Sequence, residues 1–245
     1  GCPLRCSFCQ NSTISRENFG APVTVERLGD IFLELAAQGA HNINLVSPTQ
    51  YIPWIRRALT LVRDKLTIPV IYNTGGYELR EAVASLEGLV DIYLPDLKYK
   101  SSELSAVCSD APDYFEAAAD AIDEMVRQTG APQLDGEGML LRGTVIRHLA
   151  LPGSSEDSME LVRYIAKRWG GEVTMSLMSQ YTPQYYKGER KELHRPITSY
   201  EYNKTVNLAA DLGIHGFMQE RSSAKASYTP DFDLTGVAAD KDAKK

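Results

Sequence analysis

Apolar positions along this chain alternate between two spacings, one helical and one of short β-branched runs. From Thr24 to Gln38, Val25, Leu28, Ile31, Phe32, Leu35 and Ala36 fall on one helical face, with Thr24 as N-cap and Gly39 just past the C-terminus. Asn42 to Val46 then alternates polar and apolar residues, which predicts a strand ending at Ser47-Pro48-Thr49. The two patterns repeat. Helices are predicted over Tyr51 to Lys65, Glu78 to Leu86, Asp113 to Gln128, Asp157 to Trp169 and Tyr200 to Leu212. Strands are predicted over Ile68 to Tyr72, Val90 to Leu94, Met139 to Leu149 and Val173 to Met178, with a last one near Ile214 to Met218. The Met139 run is interrupted by Arg142, Gly143 and Arg147, and Pro152-Gly153 turns the chain after it.

Repeated β then α units with short connections predict a parallel sheet flanked by helices, joined by right-handed crossovers that curl it toward a barrel. The expected fold is α/β, an incomplete TIM-like (β/α)6 barrel. In such folds the loops at the C-terminal strand ends build the site. The unusual polar residues occur there: Ser47, Asn73, Thr74, Asp96, Lys98, Arg147, His148 and Gln180 would converge on one mouth. Asn73-Thr74-Gly75-Gly76 reads as a turn whose glycines permit positive φ or close approach of a ligand to the backbone.

Composition narrows the picture. The 245 residues fit one large domain, and 26 basic against 32 acidic residues give a net charge of −6 without a long run of either sign, so nothing points to nucleic acid. No apolar stretch approaches the roughly 20 residues that span a bilayer and no signal peptide precedes the cysteines, so the default compartment is the cytoplasm. Ala238 to Lys245 has no apolar period and is expected to be a disordered tail.

The chemistry gathers at the start. Gly1 to Asn11 reads G-C-P-L-R-C-S-F-C-Q-N and holds three of the four cysteines, Cys2, Cys6 and Cys9, in the spacing C-x3-C-x2-C with Phe8 before the last. A [4Fe–4S] cluster held by protein alone takes four cysteines, so three leave one iron open to an outside ligand. A zinc site completed by a histidine or Cys108, and a simple electron-transfer cluster, stand as alternatives. Cys108 has no ligand near it in sequence and reads as an incidental small residue, and no histidine has a partner at zinc spacing.

This loop resembles the cluster-binding loop of the radical S-adenosylmethionine (SAM) superfamily. The resemblance implies that Cys2, Cys6 and Cys9 hold a [4Fe–4S] cluster whose open iron is chelated by SAM, and that one electron cleaves SAM to a 5′-deoxyadenosyl radical that abstracts hydrogen. It also implies a first barrel strand ahead of the loop, so the strand is expected to be missing from a chain that opens on Gly1. Residues 1–237 then form one N-terminally truncated core domain.

Within the superfamily the chain is similar to the pyruvate formate-lyase activating enzyme group, in an uncharacterised branch. The strings Cys9-Gln10-Asn11, residues 39–46, 72–77 and 90–99, and Ile146-Arg147-His148 through Pro152-Gly153 carry that similarity. The similarity implies roles. Ser47 to Thr49 stands in place of a Gly-Gly-Glu type motif that holds the SAM amino group, a task left to a backbone carbonyl or to the Ser47 and Thr49 hydroxyls. Asn73 and Thr74 would bind SAM or help hold a cation near its carboxylate, Asp96 would accept from the sulfonium region or that cation, and Lys98 and Arg147 would pair with the carboxylate. The implied partners are a glycyl radical enzyme or other protein substrate and an electron donor such as flavodoxin or ferredoxin. A non-catalytic iron–sulfur or zinc protein that keeps the barrel is the competing reading.

Overall fold

The computed structural model describes residues 1–17, 19–218 and 234–237. Its strands are β1 (Ile43–Val46), β2 (Val70–Thr74), β3 (Ile92–Pro95), β4 (Gln133–Leu134), β5 (Leu140–Leu149), β6 (Thr174–Met178) and β7 (Gly216–Met218). The helices are α1 (Ser12–Ser15), α2 (Val25–Ala37), α3 (Ile52–Val62), α4 (Arg80–Ala84), α5 (Ser102–Ser109), α6 (Tyr114–Thr129), α7 (Ser155–Arg168) and α8 (Ser199–Asp211).

Six strands lie parallel in the order β1-β2-β3-β5-β6-β7, and β4 folds back antiparallel on β5. The end strands β1 and β7 do not pair with each other, so the sheet stays open. This is the expected α/β architecture of a barrel that does not close. Each crossover carries a helix whose apolar face covers the sheet. Ala118, Ile122 and Met125 of α6 and Leu161, Val162 and Ile165 of α7 are fully buried, each large side chain contributing about 1.5–3 kcal/mol on removal from water.

Caps fix the helix starts. Thr24 Oγ1 accepts from Arg27 N at 3.0 Å, and Thr198 and Glu201 form a reciprocal capping box at α8. Gly39 takes φ 84° after α2, as its place past the helix end requires.

Several boundaries depart from the sequence pattern. Strand β2 runs on through Asn73 and Thr74, which pair with Leu94 and Pro95 of β3, so the turn begins only at Gly75. Strand β5 continues unbroken past Arg142, Gly143 and Arg147 because half of its side chains face away from the helices and need not be apolar. Helix α4 is shorter than Glu78 to Leu86, since Glu78 is drawn out of it by its own hydrogen bonds. Helix α5 and the β4 pairing had no clear periodic signal. The expected tail, 238–245, lies outside the described residues.

Candidate cysteine loop and strand-end site

The parallel strands remain laced together beyond their formal ends. Ser47 N donates to Asn73 O at 2.8 Å, Asp96 N to Thr74 O at 2.9 Å, Leu97 N to Arg147 O at 2.8 Å and Ala150 N to Met178 O at 3.0 Å. Strand-end residues are thus held in fixed register. Asp96 and Arg147 form a parallel bridge, and Arg147 Nη2 lies 2.7 Å from Asp96 Oδ1. That contact is close but misaligned, which leaves Asp96 Oδ1 and Arg147 Nε without an aligned hydrogen bond among the described residues. Lys98 Nζ donates to the other oxygen, Asp96 Oδ2.

Burial alone would raise the Asp96 pKa, yet Arg147 and then Lys98 outweigh it and hold the carboxyl below its usual range. Burial alone would likewise lower Lys98, but Asp96 and then Cys6 carry it above its ordinary value. Two cations thus face one carboxylate next to the cysteine loop.

Two glycines allow the approach. Gly76 has φ 84°, and a Cβ there would stand 2.1 Å from Asp96 O; a Cβ on Gly75 would stand 3.0 Å from Leu4 Cδ1. The room these glycines leave is filled by the neighbouring strand and by the cysteine loop. Tyr114, fully buried at the start of α6, seals the junction: its hydroxyl lies 2.8 Å from both Gly75 O and Asp96 O and accepts from Lys98 N at 3.1 Å.

The other residues at this end of the sheet are held in different ways. Ser47 sits at φ 51°, in the left-handed region that a residue with a side chain adopts only when its surroundings enforce it. Thr74 is buried, and its hydroxyl donates to Glu78 and accepts from Gly76 N, so it supports the turn. Glu78 Oε1 also takes Thr49 Oγ1 at 2.6 Å and Tyr72 Oη at 3.2 Å. His148 is buried with Nδ1 2.8 Å from Leu97 O and Nε2 2.9 Å from Ser158 Oγ, so both ring nitrogens are occupied away from Asp96 and Arg147. Gln180 Nε2 lies 3.7 Å from Met178 Sδ. Tyr181 is buried, packs edge-on against Phe8 at 5.5 Å and donates to Leu193 O; Tyr186 is buried too and accepts from Arg190 N.

The cysteine loop rests on two distant segments. Arg5 N donates to Ser109 O and Ser7 N to Cys108 O at the end of α5, while Lys187 N donates to Ser7 O. Cys2, Cys6 and Cys9 are half-buried free thiols. Ser109 Oγ donates to Cys6 Sγ at 3.1 Å, and Cys9 Sγ lies 3.5 Å from Ser15 Oγ. Burial raises the Cys2 thiol, against a lowering hydrogen bond from Leu4. Among the described residues no three Cys, His, Asp or Glu side chains converge at metal-ligand spacing. The donor set itself fits an iron–sulfur cluster: three soft sulfurs from one loop, two of them beside serine hydroxyls. Cys108 differs, being fully buried with its thiol pushed up to about 11 by burial. A thiol that keeps its proton is a poor metal ligand.

A groove of about 720 Å³ runs along the open edge of β1, beside Gly1, Val46, Ser47 and Trp54. Ser47 lines it, whereas Asp96, Lys98 and Arg147 do not.

Comparison with known proteins adds an independent line. A family profile described as the radical SAM superfamily matches residues 1–165. An uncharacterized protein of Methanocaldococcus jannaschii is 29% identical over 218 residues, covering 85% of this chain, and the chain spans 60% of that relative's length. A radical SAM methyltransferase from Sphaerobacter thermophilus superposes with a TM-score of 0.60 at 15% identity, covering 89% of this chain and 63% of that one. A domain of pyruvate-formate lyase-activating enzyme from Bacteroides vulgatus gives a TM-score of 0.51 at 11% identity, covering 73% of this chain and 98% of that domain.

Proposed function

We propose, on the premise that this chain belongs to the radical SAM superfamily, that it is an enzyme which cleaves SAM reductively and uses the resulting radical to abstract hydrogen from a protein partner. The observation that carries the reading is the adjacency of a three-cysteine loop to a carboxylate flanked by two cations. Cys2, Cys6 and Cys9 would hold the [4Fe–4S] cluster. When bound, that cluster supplies the electron for cleaving SAM and an open iron to seat it.

The chain's own residues do the binding and orienting. Lys98 and Arg147 carry more positive charge than Asp96 neutralises, and Arg147 Nε has donor capacity left over, so a second carboxylate is the ligand group this end of the sheet would accept. Asn73 is half-buried at the end of β2, on the opposite side of that strand from Thr74, and would present its amide to the same ligand. The strained turn at Ser47, whose amide is already taken by Asn73 O, would offer carbonyls and the Ser47 hydroxyl to an ammonium group. Thr74 and Thr49 would act one step back, through Glu78.

The finer reading is that the substrate is a glycyl radical enzyme, with flavodoxin or ferredoxin as electron donor and the cytoplasm as the compartment. Its support is the Asp96-Leu97-Lys98 string and the likeness in fold to an activating-enzyme domain. No helix among the described residues is long and apolar enough to cross a membrane.

The test is anoxic reconstitution. Iron and sulfide uptake should disappear on replacing Cys2, Cys6 or Cys9 with alanine and persist in Cys108→Ala. Reduced protein should release 5′-deoxyadenosine from SAM, and Arg147→Ala should weaken SAM binding by about 1.5–3 kcal/mol, the worth of a hydrogen bond to a charged group, with iron content unchanged. A reducible cluster that neither binds nor cleaves SAM would establish a non-catalytic protein instead.

A further inference from the structure

A serine and a tyrosine behind the cysteine loop are buried, hydrogen-bonded in series, and unused by the site just described. Ser109 is 1% exposed, the last residue of α5, and its carbonyl is fixed by Arg5 N at 3.1 Å. Its hydroxyl has one proton and two neighbours: Cys6 Sγ at 3.1 Å and Tyr99 Oη at 2.7 Å. Sulfur is the weaker acceptor, yet a cysteine bound to iron is a thiolate with no proton to give, so the serine proton must then point at it. Tyr99 becomes the donor to Ser109. Tyr99 is fully buried, and burial holds its phenol well above the ordinary range, so it keeps the proton this arrangement needs. The series Tyr99 to Ser109 to Cys6 therefore delivers positive hydrogen-bond character to one sulfur.

We propose that Ser109, backed by Tyr99, donates a hydrogen bond to the Cys6 thiolate that sets how readily this chain's iron–sulfur cluster accepts an electron; the proposal rests on Cys6 being a cluster ligand. The physics is one of differential charge. Reduction adds negative charge that spreads onto the sulfurs, so a donor aimed at a ligating sulfur stabilises the reduced form more than the oxidised one and raises the potential. The donors Ser109 and Tyr99 sit out of water, where a hydrogen bond is worth more than at the surface. Among the described residues, only Cys6 has a buried donor of this kind; the Ser15 contact to Cys9 is longer, at 3.5 Å, and less enclosed.

The experiment is a redox titration of the reconstituted protein, followed by electron paramagnetic resonance, with iron and sulfide counted in the same samples. Ser109→Ala should keep its iron and show about a tenfold smaller reduced-to-oxidised ratio at a fixed potential, a downward shift of about 59 mV for one electron. Tyr99→Phe leaves the serine proton in place and removes only its polarisation, so a smaller shift of the same sign is expected. Ser109→Thr keeps the hydroxyl and should restore the potential. A Ser109→Ala cluster with an unchanged potential overturns the proposal, and so does an unchanged Tyr99→Phe where Ser109→Ala takes up no iron. An unaltered protein that takes up no iron and sulfide overturns the cluster assignment instead, and is distinguishable by the metal count.

Discussion

Asp96 and Arg147 are partners twice over, as a parallel bridge between strand ends and as an ion pair at 2.7 Å. The carboxyl's folded pKa is depressed despite burial, so the cluster's stabilisation is complete above the ordinary aspartate value of about 3.9 and is lost as the pH falls through the lower folded value. Arg147→Ala leaves Lys98 as the one remaining cation on Asp96. Acid unfolding of the variant, followed by circular dichroism, should therefore begin at a higher pH than in the parent.

Glu78 has the opposite sign. Burial raises its pKa more than Thr49, Thr74 and Tyr72 lower it, and Oε2 has no hydrogen-bond partner among the described residues. A folded carboxyl that binds its proton more tightly than the unfolded one loses stability as the pH rises from its ordinary value through its raised one. The melting temperature of the parent minus that of Glu78→Gln should thus fall across that interval and level off above it. A flat difference would mean that Glu78 is ionised without penalty.

Gly76 and Gly88 separate two effects that usually come together. Both have positive φ, 84° and 79°, but among the described residues a Cβ at Gly88 meets nothing within 4 Å whereas one at Gly76 meets Asp96 O at 2.1 Å. Gly88→Ala should cost about 1–2 kcal/mol, the left-handed strain alone. Gly76→Ala should cost clearly more in the same urea titration, because β2 and β3 must part.

Tyr114→Phe removes a hydroxyl whose one proton is shared between the carbonyls of Gly75 and Asp96 and whose oxygen accepts from the amide of Lys98. Burying them unpaired should cost about 1–3 kcal/mol in chemical denaturation. Hydrogen exchange at Lys98 N should accelerate more than at Val126 N, within the same helix-packed layer.

The order of strands and helices was legible because burial writes itself into periodicity: α2, α6 and α7 each show one apolar face, and each is found within two residues of its expected bounds. Helix α5 was not, since Ser105 and Ser109 occupy its buried face beside Leu104 and Cys108, and it presents carbonyls and a hydroxyl to the cysteine loop. In the site, Asp96, Lys98 and Arg147 could be picked from their places at strand ends. Glu78 and Tyr114 could not, because nothing local marks a residue whose partners come from another strand. Glu78 sat inside an apparent helix and Tyr114 at the start of an amphipathic one. The twin glycines at 75 and 76 were the available signal for Tyr114, as they marked a place where something had to come close. His148 shows the reverse error: its position between Arg147 and a Pro-Gly turn suggested the mouth, but alternation along β5 turns it toward Ser158.

The anchoring of the cysteine loop has a consequence for biosynthesis. Its backbone is held by residues 108 and 109 and by Lys187, roughly one hundred and one hundred and eighty positions downstream. Ribosomes make protein from the N-terminus at about 5–20 residues per second, so the thiols at 2, 6 and 9 emerge ahead of residues 108, 109 and 187 and wait several seconds or more before these supports exist. During that interval they are sulfur donors without their folded supports, open to any metal or oxidant at hand. The protein's iron content should therefore depend on what the nascent chain meets, and slow translation between residues 110 and 187 should leave more of the finished molecules wrongly loaded.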